Sequence, residues 1–82
     1  FRNLQLAYDA LAAGGSAPCV LNAANEIAVA AFLQGEVGFL EMSDVVEHAL
    51  SSVEHVAQPD LEALFGLDTL AREAARSRVR PS

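Results

Sequence analysis

The sequence predicts an all-α domain, a small four-helix bundle-like unit with short connections, on three observations. Apolar residues recur at three- and four-residue spacing in each long segment. Glycine and proline punctuate the stretches between those segments. Strand signals are absent apart from a short extended turn at Val37 to Leu40. The chain has 82 residues, enough for one small domain. A chain of that size buries only roughly 60–65% of the surface its unfolded form exposes, so a larger body to lean on would help it.

Helix one is expected to start after Asn3 as N-cap, with Leu4, Ala7, Tyr8 and Leu11 at i, i+3, i+4 and i+7 forming a core-facing stripe. Gly14-Gly15 stops it. Ser16 then caps helix two, and Pro18 falls in the first turn, where its missing N–H matters little. Helix two runs to about Gln34 and ends at Gly35. Because it is apolar on nearly every side, it is expected to be the buried central helix, with Ala24, Ala28 and Ala31 at the closest helix contact. In the loop that follows, Phe39-Leu40 should tuck under the bundle. Ser43 is expected to cap helix three, where Val46, Ala49, Leu50 and Val53 hold the period, Val45 and Val56 widen the stripe, and Pro59 ends the stretch. Asp60 caps a short helix through Phe65, Gly66 interrupts, and Asp68 caps a final helix to about Arg78 or Arg80. Asp68 and Arg72 stand at i, i+4 in the favourable order.

Three polar residues are set into the apolar second helix. Asn22, Asn25 and Glu26 fall at i, i+3 and i+4 and so share one spot. They are either a ligand or active-site contact, or a structural polar cluster serving a neighbouring loop or a docking domain. On a buried helix each would need a partner, since an unpaired buried amide costs about 1–3 kcal/mol.

The run Leu21-Asn22-Ala23-Ala24-Asn25-Glu26, with its aliphatic tail ending in Phe32-Leu33, resembles the C-terminal helical domain of the 1-deoxy-D-xylulose 5-phosphate reductoisomerase family. Flanking segments extend the likeness over nearly the whole chain: Leu6 to Leu11 with the Gly14-Gly15-Ser16-Ala17-Pro18 turn, Gly38 to Met42, and Asp68 to Ala75. Cys19 stands where a small residue such as alanine is expected. The resemblance implies a parent enzyme that converts 1-deoxy-D-xylulose 5-phosphate to 2-C-methyl-D-erythritol 4-phosphate in isoprenoid biosynthesis, using NADPH and Mg²⁺ or Mn²⁺. It also implies that the dinucleotide-binding domain, the metal carboxylates and the active-site loop precede the matched region. No catalytic, cofactor-binding or metal residue is therefore carried onto this chain, and Asn22, Asn25 and Glu26 are read as structural. The implied partners are the remaining domains of the same polypeptide, in an enzyme that is a homodimer through other domains, in the cytoplasm or, in a plant or alga, the plastid.

The rest of the sequence agrees with a non-catalytic role. The chain begins at Phe1 and its only methionine is Met42, which suggests a fragment, a processed product or an excised domain of residues 1–82. The formal charge is −6, there is no lysine, and no arginine lies between Asn3 and Ala71, so nucleic acid and anionic membranes are not expected partners. Arg72, Arg76, Arg78 and Arg80 crowd the last helix, where the macrodipole favours cations. One cysteine forms no internal disulfide and too few ligands for a cysteine metal site. Cys19 could have a lowered pKa near the start of helix two, but a small buried hydrophobe is the default. His48 and His55, two turns apart, are too far apart to share a metal in the i, i+4 manner and read as surface histidines with Asp44 and Glu54 nearby. Without lysine, Schiff-base and P-loop chemistry are excluded. The competing class is a free-standing acidic helical module that binds a basic partner without catalysis. It would need an exposed apolar groove or patch for that partner.

Overall fold

The structure, a computed structural model, describes residues 2–79. Among these residues it contains four helices and no strand: α1 (Arg2–Ala13), α2 (Ala17–Leu33), α3 (Glu41–Ser52) and α4 (Leu61–Val79). Helices α2, α3 and α4 pack on one another, while α1 lies against α2 and α3 only and does not reach α4. The predicted all-α bundle is what forms, with α2 and α3 each touching all three other helices and α2 packed most extensively.

The interior is built from small residues. Ala24, Ala28, Ala49 and Ala75 are fully enclosed with Val45 and Val46, and Ala23 and Ala71 close a second cluster with Val20 and Leu67. Small side chains let helix axes approach closely. The molecule is only 18 Å across its shortest direction, about two helix diameters, so most helix surface faces outward. A two-layer slab cannot enclose many large side chains. Tyr8, Phe32, Phe39 and Phe65, all the aromatic residues among those described, are exposed.

Several elements depart from the sequence expectation, each for a local reason. Helix α1 includes Asn3 in place of being capped by it, and Asn3 Oδ1 accepts a hydrogen bond from Ser43 Oγ at 3.0 Å. The helix turns Leu6 and Ala10 toward the bundle, leaving Leu4, Tyr8 and Leu11 exposed by more than half. The predicted stripe exists, but it faces outward. Ser43 lies inside the first turn of α3, which starts at Glu41 with the Glu41 carboxylate accepting from Gly38 N–H at 2.9 Å. Helix α3 ends at Ser52, with Val53 already extended, well short of Pro59. Phe39 and Leu40 do not tuck under the bundle: both are exposed, and Phe39 meets Phe32 edge to face at 5.9 Å.

Gly66 does not interrupt α4. One helix runs from Leu61 through it, since a single interior glycine costs only about 1 kcal/mol relative to alanine and the packing of Leu67, Ala71 and Ala75 outweighs that. Asp60 does cap this helix, its carboxylate accepting from Ala63 N–H at 2.8 Å. Asp68 lies mid-helix and pairs with Arg72 instead of capping. Arg78 lies within α4, whereas Arg80, the alternative end, lies outside the described residues.

Ser16 precedes α2 as expected but makes no side-chain cap. It is wholly buried and bonds Val56 twice, its N–H donating to the Val56 carbonyl at 2.9 Å and its hydroxyl accepting from Val56 N–H at 2.8 Å. Gly15 makes this approach feasible. Its φ is +56°, and a Cβ there would stand 2.3 Å from the Val56 carbonyl oxygen.

Candidate functional site

The outer face of α2 carries the polar spot. Asn22, Asn25 and Glu26 are all exposed, with Val29 and Leu33 continuing the same side of the helix, while Ala24, Ala28 and Ala31 point inward. The expectation of a fully buried helix thus fails on this one face. The helix is central in contacts but open along one stripe, because α1 and α4 flank it without meeting over it.

The three polar residues divide into two roles. Asn22 Nδ2 donates to Glu26 Oε2 at 3.1 Å, and Glu26 Oε2 lies 3.5 Å from Arg72 Nη2 on α4. Arg72 also holds Asp68, Nε to Oδ1 at 2.6 Å. These two carboxylates keep the Arg72 guanidinium protonated even more firmly than usual, Asp68 contributing most. Asn22, Glu26, Arg72 and Asp68 therefore form a polar strap from α2 to α4. Asn25 stands apart from it, with no hydrogen-bond partner among the described residues. With Asn3 and Asn22 it lines a groove of about 490 Å³ between α1 and α2, otherwise walled by Leu4, Ala7, Leu21, Phe39 and Val46.

Arg2 forms a second strap that the sequence did not suggest. It pairs with Asp44 and, at 2.9 Å, with Glu47, while Arg78 reaches the other Asp44 oxygen at 3.7 Å. Asp44 thereby joins α1, α3 and α4. Only the long sequence separation hid it, since nothing local links position 2 to position 44. Asp44 is consequently not the partner of His48, whose ring lies 3.5 Å from Ser52 Oγ. His55 likewise is held by a backbone group and not by Glu54: its Nε2 lies 3.2 Å from the Gly14 carbonyl oxygen.

Cys19 is half-buried with Sγ 3.8 Å from the Leu64 carbonyl. Burial, and then the negative charge of Asp68, push its thiol pKa up, against a smaller opposing effect of Arg72. The lowered-pKa alternative is overturned, because desolvation disfavours the thiolate and the acid Asp68 outweighs Arg72 there. Among the described residues no group of three or more histidine, cysteine, aspartate or glutamate side chains could hold a metal ion, and no helix is long and apolar enough to cross a membrane.

The family described as DXP reductoisomerase C-terminal domain matches residues 1–74. This chain belongs to that family. The 1-deoxy-D-xylulose 5-phosphate reductoisomerase of Bacteroides fragilis is 48% identical over 79 residues, covering 96% of this chain and 20% of the relative. That of Xanthomonas oryzae pv. oryzae is 55% identical over 73 residues, covering 89% and 18%. Among solved structures, 1-deoxy-D-xylulose 5-phosphate reductoisomerase from Zymomonas mobilis in complex with NADPH superposes with a TM-score of 0.85 at 42% identity, over 96% of this chain and 21% of that one. The chain thus spans about a fifth of the length of the reductoisomerases it matches.

Proposed function

We propose that this chain is the C-terminal helical domain of an NADPH-dependent enzyme that converts 1-deoxy-D-xylulose 5-phosphate to 2-C-methyl-D-erythritol 4-phosphate for isoprenoid synthesis. Its own task is to dock on the remainder of its polypeptide and brace it. NADPH and the Mg²⁺ or Mn²⁺ ion are held by the remaining four-fifths, and the parent pairs into a homodimer through other domains.

One observation carries the docking role: the interior is mostly alanine and valine, while every described aromatic residue lies outside with Leu4, Leu11, Leu40 and Leu61. A self-sufficient domain of this size would place its largest apolar groups inside, where each fully buried side chain contributes roughly 1.5–3 kcal/mol. Outward placement keeps that contribution for a contact with something else. In the matched reductoisomerases the aligned part is about a fifth of the chain, and a remainder some four times as long is consistent with such a contact.

The test is made in the full-length enzyme. Asn25→Ala and Glu26→Gln should lower stability or expression while kcat, corrected for folded fraction, stays within about tenfold, a barrier change of roughly 1.4 kcal/mol. Glu26→Gln should be the milder on stability, since it weakens an exposed pair worth at most about 1 kcal/mol. Loss of a catalytic acid–base group would instead lower the rate by about 10²–10⁴-fold. A fall of that size at unchanged stability would put these residues in the active site and end the bracing role.

A further inference from the structure

Resting on the reading that the domain docks on its own polypeptide, we propose that the α1–α2 groove is where it does so. The groove takes an extended segment of the preceding polypeptide, seats one apolar side chain between Leu4, Ala7 and Phe39, and bonds a peptide group of that segment through Asn25.

The chemistry of the groove selects its occupant. No charged side chain lines it, although the chain carries a net charge of −6, so neither a basic peptide nor an anion is matched there. Its walls are mostly aliphatic and aromatic; of the three asparagines that line it, Asn3 bonds Ser43 and Asn22 bonds Glu26, which leaves the whole Asn25 carboxamide, two donors and an acceptor, to an occupant. That combination suits a neutral peptide group with a free N–H and C=O. The interior of a helix has none to offer, whereas an extended segment does.

The surroundings show how wide the contact is. Tyr8 and Leu11 are 62% and 66% exposed on the rim of α1, and Phe39, braced by Phe32, is 67% exposed opposite. Large apolar side chains exposed beside an apolar groove mark an interaction site on a folded domain. The family match is to a C-terminal domain, and some four-fifths of each matched reductoisomerase lies outside the aligned part, so the covering segment comes from the preceding chain. A second copy of this domain fits less well, because two bodies of charge −6 repel as they approach.

Photo-cross-linking in the full-length polypeptide decides the matter. Tyr8, Phe39 and, on the α4 face, Phe65 are replaced one at a time by p-benzoylphenylalanine, all at exposed positions that leave the core intact. Irradiation should give adducts from positions 8 and 39 that run at monomer mass and map to peptides upstream of the domain. Adducts at dimer mass from those positions would assign the groove to a second copy and overturn the proposal. Upstream adducts from position 65 alone would keep the docking role but place it on α4, and adducts from none of the three would remove both. Turnover of 1-deoxy-D-xylulose 5-phosphate with NADPH is followed on the unsubstituted polypeptide. Monomer-mass adducts without turnover would refute the assigned reaction and leave the groove assignment standing.

Discussion

At the scale of single residues, the two adjacent glycines of the α1–α2 turn are not equivalent. Both have positive φ, +66° at Gly14 and +56° at Gly15, but only Gly15 faces the Val56 carbonyl, while nothing lies within 4 Å of a Cβ at Gly14. Gly14→Ala should therefore lose only the left-handed penalty, about 1–2 kcal/mol. Gly15→Ala should lose distinctly more, because the obstruction is backbone and has no rotamer to yield. Urea unfolding of the two variants separates these cases, and equal losses would mean that residue 56 does not approach the turn as described. Side chains that read as helix caps show the same divergence between local and tertiary use. Asn3, Ser16 and Ser43 all have capping chemistry, yet their bonds run 40 residues away, to Ser43, Val56 and Asn3. Asp60, with no such long-range partner, caps as its sequence position implies.

At the scale of helices, the existence of all four and the inward alanine face of α2 were legible in the sequence, because hydrophobic period and turn residues act locally. Which side of α1 faces the bundle was not. Leu4, Tyr8 and Leu11 form a better apolar stripe than Leu6 and Ala10, and pattern alone assigns the better stripe to the core. The actual choice depends on how close α1 can come to α2 and α3, which is a property of the assembled slab. For the same reason the site was legible in part: the i, i+3, i+4 polar spot was visible, while its links to Arg72 and Asp68 and the Arg2–Asp44 strap needed the fold. Two substitutions of opposite sign follow from these helices. Gly66→Ala, in open space within α4, should stabilise by up to about 1 kcal/mol. Ala28→Leu, fully enclosed on α2, should destabilise by about 1–3 kcal/mol through overpacking. Thermal melts of both in the full-length enzyme provide the check, and an unchanged Ala28→Leu melt would mean that α2 is peripheral.

At the scale of the whole molecule, large apolar side chains outside and an interior of mostly small ones describe a part shaped for an assembly. The isolated 82-residue chain should bind the apolar dye 1-anilinonaphthalene-8-sulfonate strongly, and the full-length polypeptide should bind it weakly. Equal fluorescence from the two would show that these surfaces stay open in the parent. The Ser16–Val56 clasp has a kinetic consequence as well. It closes a 40-residue loop, and loop-closure entropy opposes that by about 3 kcal/mol before any contact repays it. Two hydrogen bonds alone do not meet such a penalty, so α2 and α3 must already have found each other when the clasp forms. It then belongs to the descent from the transition state. Ser16→Ala should accordingly hasten unfolding while leaving the refolding rate nearly unchanged, a chevron with only one limb displaced. The clasp acts as a latch on the finished fold, one that governs how long the domain stays folded and not how fast it gets there.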